Sequence, residues 1–227
     1  MRFYIIILAV LLTAPVLCYC QDVKSGTDKD EAYTRTIYGR AEKIVMKLGI
    51  TDSSKATRVK KIIATQYRDL NDIHAYRDAQ IKTAKQGTDK AIVASEVKKL
   101  EDEANTKITA LHTKFLGSLS KELSAKQVDQ VKDGLTYDVV HVTYTAYLEE
   151  IPTLTSAQKE QIMAWLVEAR EFAMDAETSE KKHAWFGKYK GRINNYLSAA
   201  GYDLKKEGEE WEKRRNAGKG TASTKAE

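Results

Sequence analysis

The chain has 227 residues, 42% hydrophobic and 30% charged, with 37 Lys and Arg against 32 Asp and Glu. This length and hydrophobic fraction suffice for one domain, or two small ones, with a packed core. The net charge of +5 is small and the basic residues are dispersed. A nucleic-acid partner is therefore not expected, because such proteins concentrate basic residues on one face.

Residues 1–20, MRFYIIILAVLLTAPVLCYC, have the pattern of a secretory signal peptide. A short basic start and an apolar run are followed by Pro15 and small residues, and cleavage before Gln21 would remove both cysteines. The mature chain would then have no disulfide and no membrane span, and we expect it to be secreted, periplasmic or at the cell surface. Two alternatives are an uncleaved anchor, since about 18 apolar residues can cross a bilayer, and lipid anchoring through Cys18 or Cys20.

The rest of the chain is predicted to be nearly all helical, because Pro152 is the one proline after the signal. A first helix is expected from about Asp28 to Leu48, ending at Gly49. A second, from about 51 to 86, and a third, from about 88 to 123, carry apolar residues at three-four spacing. We expect these two helices to form a long antiparallel hairpin, with arms of roughly 48 Å. Its flank is a candidate surface for a protein partner.

Two similar motifs, LSAKQ at 123–127 and LTSAQ at 154–158, each place Gln three residues after Ser or Thr. This is the capping-box pattern that begins a helix. The motifs also weakly resemble those of small periplasmic helical chaperones of the LTxxQ type, which hold unfolded chains. Between them, the segment TYDVVHVTYTAY at 136–147 is rich in residues that favour strands, so an irregular or partly extended connector is predicted there.

The segment KHAWFGKYKGRINNYL at 182–197 predicts a helix with two different faces. One face gathers Trp185, Tyr189, Arg192, Ile193, Tyr196 and Ala200, with Phe186 and Leu197 along its margin. The other gathers small residues, including Gly187 and Gly191, which cost helix stability when exposed. We therefore expect the small face to approach another backbone or a ligand closely.

Four stretches of the chain resemble the bacterial family called domain of unknown function 3826, over about Tyr33 to Arg214. They are NDIH at 71–74, IPTLT at 151–155, WLVEARE at 165–171 and KHAWFGKYKGRINNYLSAAGYDL at 182–204. The resemblance implies a secreted, mostly helical protein, often encoded beside enzymes that degrade plant polysaccharides such as pectin. It brings no established activity or catalytic residues.

The residues themselves give little support to a defined enzyme chemistry. The four histidines lack the spacing of a metal motif, and no metal or other cofactor is expected. Folding the hairpin about Gly87 sets His74 and His112 roughly 16 Å apart along its axis. The catalytic residues stay unknown, with two open possibilities. A hydrolase would need a carboxylate pair, drawn from Asp138, Glu149, Glu150, Glu168 and Asp175. A lyase would need a base beside a uronate, drawn from Tyr189, Arg192, His183 and Lys188.

A carbohydrate-binding site suits the helix predicted over 182–197 better than a catalytic site does, because sugars stack on aromatic rings and hydrogen-bond to polar side chains. The candidate binding residues are Trp185, Tyr189, Arg192, Asn194, Asn195 and Tyr196. The leading hypothesis is a glycan-associated binding or accessory protein in polysaccharide utilisation, with a plant polysaccharide or oligosaccharide as ligand. The alternatives are a polysaccharide-acting enzyme and a periplasmic helical chaperone or scaffold. A cleft that joins aromatic rings to carboxylates would favour the enzyme.

The predicted architecture is all-α, with a long helical hairpin and a C-terminal helical bundle. We expect one helical domain over 21–217, divided into 28–123 and 124–217. The small and charged residues of 218–227 predict a disordered tail.

Overall fold

A computed structural model describes the backbone of residues 20–223 and the side chains of residues 28–217. The predicted signal peptide and its two cysteines lie outside the residues whose side chains are described. Within the described part the fold is all-α, as the sequence predicts, with eight helices and no strand. The helices are α1 (Cys20–Val45), α2 (Ser53–Ala84), α3 (Lys90–Ser120), α4 (Ala125–Leu135), α5 (Val139–Glu150), α6 (Ser156–Ala173), α7 (Ser179–Ala199) and α8 (Leu204–Ser223).

Local sequence accounts for most of the helix ends. Gly49, just after α1, has a φ of 64°, a conformation that glycine adopts without strain. The Asp52 carboxylate accepts hydrogen bonds from the backbone N–H groups of the first turn of α2. Ser124 with Gln127, and Thr155 with Gln158, form complete capping boxes at the starts of α4 and α6. The capping interpretation of both repeated motifs is therefore confirmed.

The first hydrophobic core joins α1, α2, α3 and α4. Helices α2 and α3, connected by residues 85–89, pack along each other, and Ile63 and Leu119 are both fully buried between the four helices. Val131 of α4 is buried in the same core. The N-terminal core therefore extends to the end of α4, beyond the division after residue 123 that the sequence predicts.

The connector predicted over 136–147 is wrong, because residues Val139–Glu150 form α5. Val140, Thr143 and Tyr147 are buried at three-four spacing against α6 and α7. Burial of this helical stripe outweighs the intrinsic strand preference of Val, Thr and Tyr, which is a weak determinant on its own. The irregular backbone is confined to Tyr137 and Asp138, which have φ values of 60° and 59°.

A second core joins α5, α6 and α7, with partly buried side chains from α8. In α7, Phe186, Ile193 and Leu197 are fully buried, whereas Arg192 and Ala200 are exposed. The buried stripe is thus rotated from the predicted face, and Phe186 lies at its centre instead of its margin.

The small face of α7 does not approach another backbone at Gly187 or Gly191, so that part of the prediction is wrong, while the close approach of a ligand stays a prediction. Gly187 and Gly191 are exposed, and a Cβ atom added at either would meet no atom within 4 Å. Helix α7 packs on one side, and its small residues face solvent because the rotated stripe supplies all of its core contacts. Nothing in the structure explains why glycine occupies these two positions.

Buried ion pairs connect the two cores. Arg170 of α6 is 5% exposed, and its guanidinium donates to Asp133 at 2.6 Å and to Asp129 at 2.7 Å, both on α4. Beside it, Lys132 Nζ donates to Glu171 at 2.9 Å. These contacts fix the end of α6 against the N-terminal half.

Two further observations concern the predicted membrane and tail properties. None of the described helices combines the length and the apolarity needed to cross a membrane. Helix α8 continues to Ser223, six residues into the segment predicted to be disordered, and residues 224–227 lie outside the described part.

Candidate functional site

A cavity of about 830 Å³, here named the main cavity, lies where the two halves meet. This volume falls within the roughly 300 to 1,000 Å³ of typical ligand pockets. Helices α2 and α3 form one wall, and the end of α6, its following loop and the start of α7 form the other. Its lining includes His74, Arg77, Asn105, Thr109, His112, Glu171, Phe172, Asp175, Glu177, Lys181, Trp185 and Lys188.

The loop between α6 and α7 is held by Lys182. Its buried ammonium group donates to the backbone carbonyls of Ala173 and Met174, at 3.2 and 2.9 Å. Burial lowers the pKa of Lys182 to about 8. By satisfying carbonyl groups that the end of α6 leaves free, Lys182 fixes the loop that carries Asp175 and Glu177 into the cavity.

His112 and Asp175 form a short polar contact between α3 and that loop. His112 Nδ1 lies 2.6 Å from Asp175 Oδ2, and the hydrogen bond raises the pKa of His112. The opposite ring nitrogen, Nε2, lies 3.8 Å from Glu171 Oε2. The other carboxylate oxygen of Asp175, Oδ1, is buried and has no hydrogen-bond partner among the described residues.

His74 contacts the backbone carbonyl of Asp175. His74 Nε2 donates to the Asp175 carbonyl at 2.9 Å, and Nδ1 lies 3.0 Å from Arg77 and 2.6 Å from Glu177. The Glu177 contact alone would favour a charged ring, whereas burial, reinforced by Arg77, lowers the pKa of His74. We assign the neutral ring, because Nδ1 can then accept from Arg77, which also donates to Glu177 at 2.8 Å.

Aromatic rings and basic side chains form the other side of the cavity. Phe172 and Trp185 stack with centroids 4.7 Å apart and planes 18° apart. Lys188 Nζ lies 5.0 Å from the centroid of the Trp185 ring, within the range of a cation–π contact. Lys181 pairs with Glu177, which also accepts from Arg77. This side therefore combines a flat apolar platform with Lys181 and Lys188, while Arg77 reaches Glu177 from α2.

The six sequence-predicted binding residues do not form one site. Trp185 lines the main cavity, whereas Tyr189 is buried in the second core. Arg192 lies over the Trp165 ring at 4.5 Å, and Tyr196 meets the same ring edge-on at 5.3 Å.

The two asparagines of that set lie elsewhere. Asn194 Oδ1 accepts a hydrogen bond from Tyr147 at 2.7 Å in a second, smaller cavity of about 380 Å³. Asn195 is exposed.

Sequence reasoning missed the cluster around Asp175. It separated His74 and His112 along the hairpin, yet both hydrogen-bond to Asp175. Asp175 lies 101 positions from His74 and 63 positions from His112 along the chain, so the spacing of neighbouring residues does not predict that the three residues are in contact. One usable signal was present: Lys181, Trp185 and Lys188 follow three-four spacing and so share a face of α7.

One group of described residues has possible metal-ligand atoms within 4.8 Å of one another, namely Asp133, Asp138 and His141. Asp133 is already paired with Arg170, and Asp138 lies 2.7 Å from His141 Nδ1. Contacts within the protein thus account for all three side chains.

A family model described as a protein of unknown function (DUF3826) matches residues 34–217. The chain belongs to the DUF3826 family. A search of curated proteins finds no match at the threshold used. The matched range of this DUF3826 protein contains every residue that lines the main cavity, so the site is part of the family domain.

Proposed function

We propose that the protein binds carbohydrate in the cavity between its two halves, as an accessory to polysaccharide utilisation. The observation that carries this proposal is the stacked pair Phe172 and Trp185, which lies in a cavity otherwise lined mainly by polar and charged side chains. Sugars have apolar ring faces and many hydroxyl groups, so they suit a flat aromatic surface beside hydrogen-bonding groups. Trp185 is retained from the six predicted binding residues, and Asp175 and Lys188, which the sequence offers as candidate catalytic residues, also line the cavity.

Exposure at the platform supports a ligand of this type. Phe172 is 46% exposed, although it stacks on Trp185 instead of entering the core. A half-exposed aromatic pair at a cavity is a better candidate for ligand stacking than the buried Tyr189. Lys188, which has no carboxylate partner among the described residues, further favours a carbohydrate with an acidic group.

Calorimetric titration of the purified protein with neutral and acidic plant oligosaccharides tests the proposal. We expect binding, and a loss of about tenfold or more in affinity for Trp185→Ala, because alanine removes the ring on which the sugar stacks; stacking of a nucleic-acid base on such a ring contributes roughly 1 to 3 kcal/mol, and a similar contribution is expected here. Trp211→Ala is the matched control, since Trp211 lies on α8 with its ring against Arg215 and outside the cavity. Equal losses for the two variants, or no binding by the wild-type protein, would contradict the proposal.

A failure of carbohydrate binding would direct attention to a protein partner. Tyr76 and Ile92, on α2 and α3, are exposed by 57% and 68%, on the helix pair for which the sequence predicts a partner surface. The same titrations with unfolded protein clients would then test the chaperone alternative.

A further inference from the structure

We propose that His112, oriented by Asp175, is the proton-accepting residue of a uronate β-elimination in the main cavity. This inference rests on the proposed carbohydrate binding and names its substrate class, a polysaccharide chain with ring carboxylates. It also gives the protein an activity in addition to binding.

The orientation of His112 is the first step of the argument. Its Nδ1 lies 2.6 Å from Asp175 Oδ2, so the neutral ring carries its proton on Nδ1 and its lone pair on Nε2. A carboxylate that holds one imidazole nitrogen in this way fixes the ring and stabilises the charge that forms when the other nitrogen takes a proton. Asp175 is thus a positioning residue, and His112 is the base.

The surroundings of Nε2 leave it available to a substrate. Glu171 Oε2 is 3.8 Å away, which is too far for a direct hydrogen bond. Glu171 itself accepts from Lys132 Nζ at 2.9 Å, so its charge is compensated. The charged groups that face His112 are therefore Asp175, Glu171 and Lys132, and the hydrogen bond to Asp175 has the largest effect in raising its pKa.

The cations of the cavity indicate the charge of the substrate. Arg77 and Lys181 share the Glu177 carboxylate, while Lys188 lies over Trp185. Arg77 and Lys181 are therefore already paired, and the lining also includes the carboxylates of Glu171 and Asp175. Lys188 has no carboxylate partner among the described residues, so it is the cation available to an acidic group of the substrate. A sugar stacked on Trp185 would place a ring carboxylate near Lys188, and pairing with an ammonium group makes the adjacent carbon-bound hydrogen more acidic.

The side chains that line the cavity argue against a hydroxyl or thiol nucleophile. Of the residues that line it, Thr109 alone has a hydroxyl, and this group donates to the Asn105 carbonyl at 2.9 Å. Among the described residues, no cysteine or serine lines the cavity. A base without an adjacent hydroxyl or thiol nucleophile suits proton abstraction from carbon better than acyl transfer through an enzyme-bound ester.

The reaction is balanced without any further reagent. His112 Nε2 takes the hydrogen from the ring carbon that bears the carboxylate. The electron pair of that C–H bond forms a double bond to the neighbouring ring carbon, and the bond from that neighbour to the glycosidic oxygen breaks. The departing oxygen takes a proton from water, and His112 later returns its proton to solvent. The products are a chain with a new end and an unsaturated uronate.

Uronate oligosaccharides incubated with the full protein test the inference. The ultraviolet absorbance of the unsaturated product reports elimination, and NMR in D₂O reports exchange of the hydrogen beside the carboxylate. We expect His112→Gln to lower the rate by about 100-fold or more, with binding by calorimetry changed less than threefold. His183→Gln is the matched control, because His183 is exposed and stacks on Tyr137 outside the cavity.

A second variant tests the positioning role of Asp175. Asp175→Asn removes the negative charge of this partner and weakens the hydrogen bond that raises the pKa of His112, so the basic form would persist to lower pH and the acid limb of the pH–rate profile would move to lower pH. An unchanged profile would contradict this role.

The outcomes separate the two proposals. Binding of uronate chains without product or hydrogen exchange overturns the elimination and leaves carbohydrate binding in place. Product formation that survives in His112→Gln overturns the assignment of the base. An absence of carbohydrate binding overturns both.

Discussion

His112 on α3 and Asp175 in the loop after α6 are joined by a hydrogen bond of 2.6 Å, across 63 positions of the chain. The contact links the two halves of the protein at the main cavity. It also controls a titratable group, because the hydrogen bond raises the pKa of His112 above its ordinary value of 6.5.

The His112–Asp175 contact predicts a pH-dependent difference in stability. A histidine whose pKa is raised by folding stabilises the native state below its unfolded pKa, and this contribution is lost as the pH rises through the folded value. The free energy of unfolding of the wild-type protein should therefore exceed that of His112→Gln, and this difference should be greatest below about pH 6.5. Denaturant titrations at several pH values measure it, and a difference that grows towards alkaline pH would contradict the pairing.

The buried Lys182 predicts a change in stability at alkaline pH. Burial lowers its pKa from 10.5 to about 8, so between these values the unfolded chain binds more protons than the native one. Stability should then rise with pH across this range, by on the order of 3 kcal/mol at most. Lys182→Met should lack this rise, whereas the exposed control Lys188→Met should retain it. The same slope in Lys182→Met as in wild type would show that Lys182 is not a buried cation.

Arg170 predicts a large loss of stability on truncation. Replacing it by Met leaves Asp133 buried without its partner, which costs roughly 3 to 5 kcal/mol. Arg192→Met is the matched control, because its pair with Glu168 is exposed at 3.5 Å and such pairs contribute about 0 to 1 kcal/mol. Similar losses in the two variants, measured by chemical unfolding, would show that the Arg170 pairs do not connect the halves as described.

Replacing the exposed glycines of α7 by alanine is predicted to increase stability. Gly187→Ala and Gly191→Ala should each raise the free energy of unfolding by roughly 0.5 to 1 kcal/mol, because alanine loses less backbone entropy in a helix. Gly49→Ala should lower it instead, since its φ of 64° strains any other residue. Thermal unfolding of the three variants tests the contrast. Destabilisation by Gly187→Ala or Gly191→Ala would restore the close approach that the sequence suggests.

The sequence predicts those parts of the molecule that depend on neighbouring residues. The capping boxes at Ser124 and Thr155, the turn at Gly49 and the all-α fold follow from local rules. Helix α5 was missed because its composition favours strand, although Val140, Thr143 and Tyr147 already have helical spacing. The face of α7 was misjudged because three aromatic rings suggested a core, whereas tertiary packing selected a neighbouring stripe.

The candidate site was less predictable than the fold. Trp185 could be named from its residue type, but the position of Asp175 between two helices is set by the Lys182 contacts with the end of α6. No sequence spacing encodes that arrangement. The meeting of His74, His112 and Asp175 therefore requires the three-dimensional structure.

The most direct measurement of the central claim is an NMR titration of the ¹⁵N-labelled protein with uronate oligosaccharides, observing the indole N–H signals of its 3 tryptophans. Trp185 lines the cavity, Trp165 lies beside Arg192 and Tyr196, and Trp211 lies on α8. Carbohydrate binding in the cavity predicts a saturable shift of the Trp185 signal, with the Trp211 signal unchanged. No shift at Trp185, or a shift confined to Trp165 or Trp211, would contradict it.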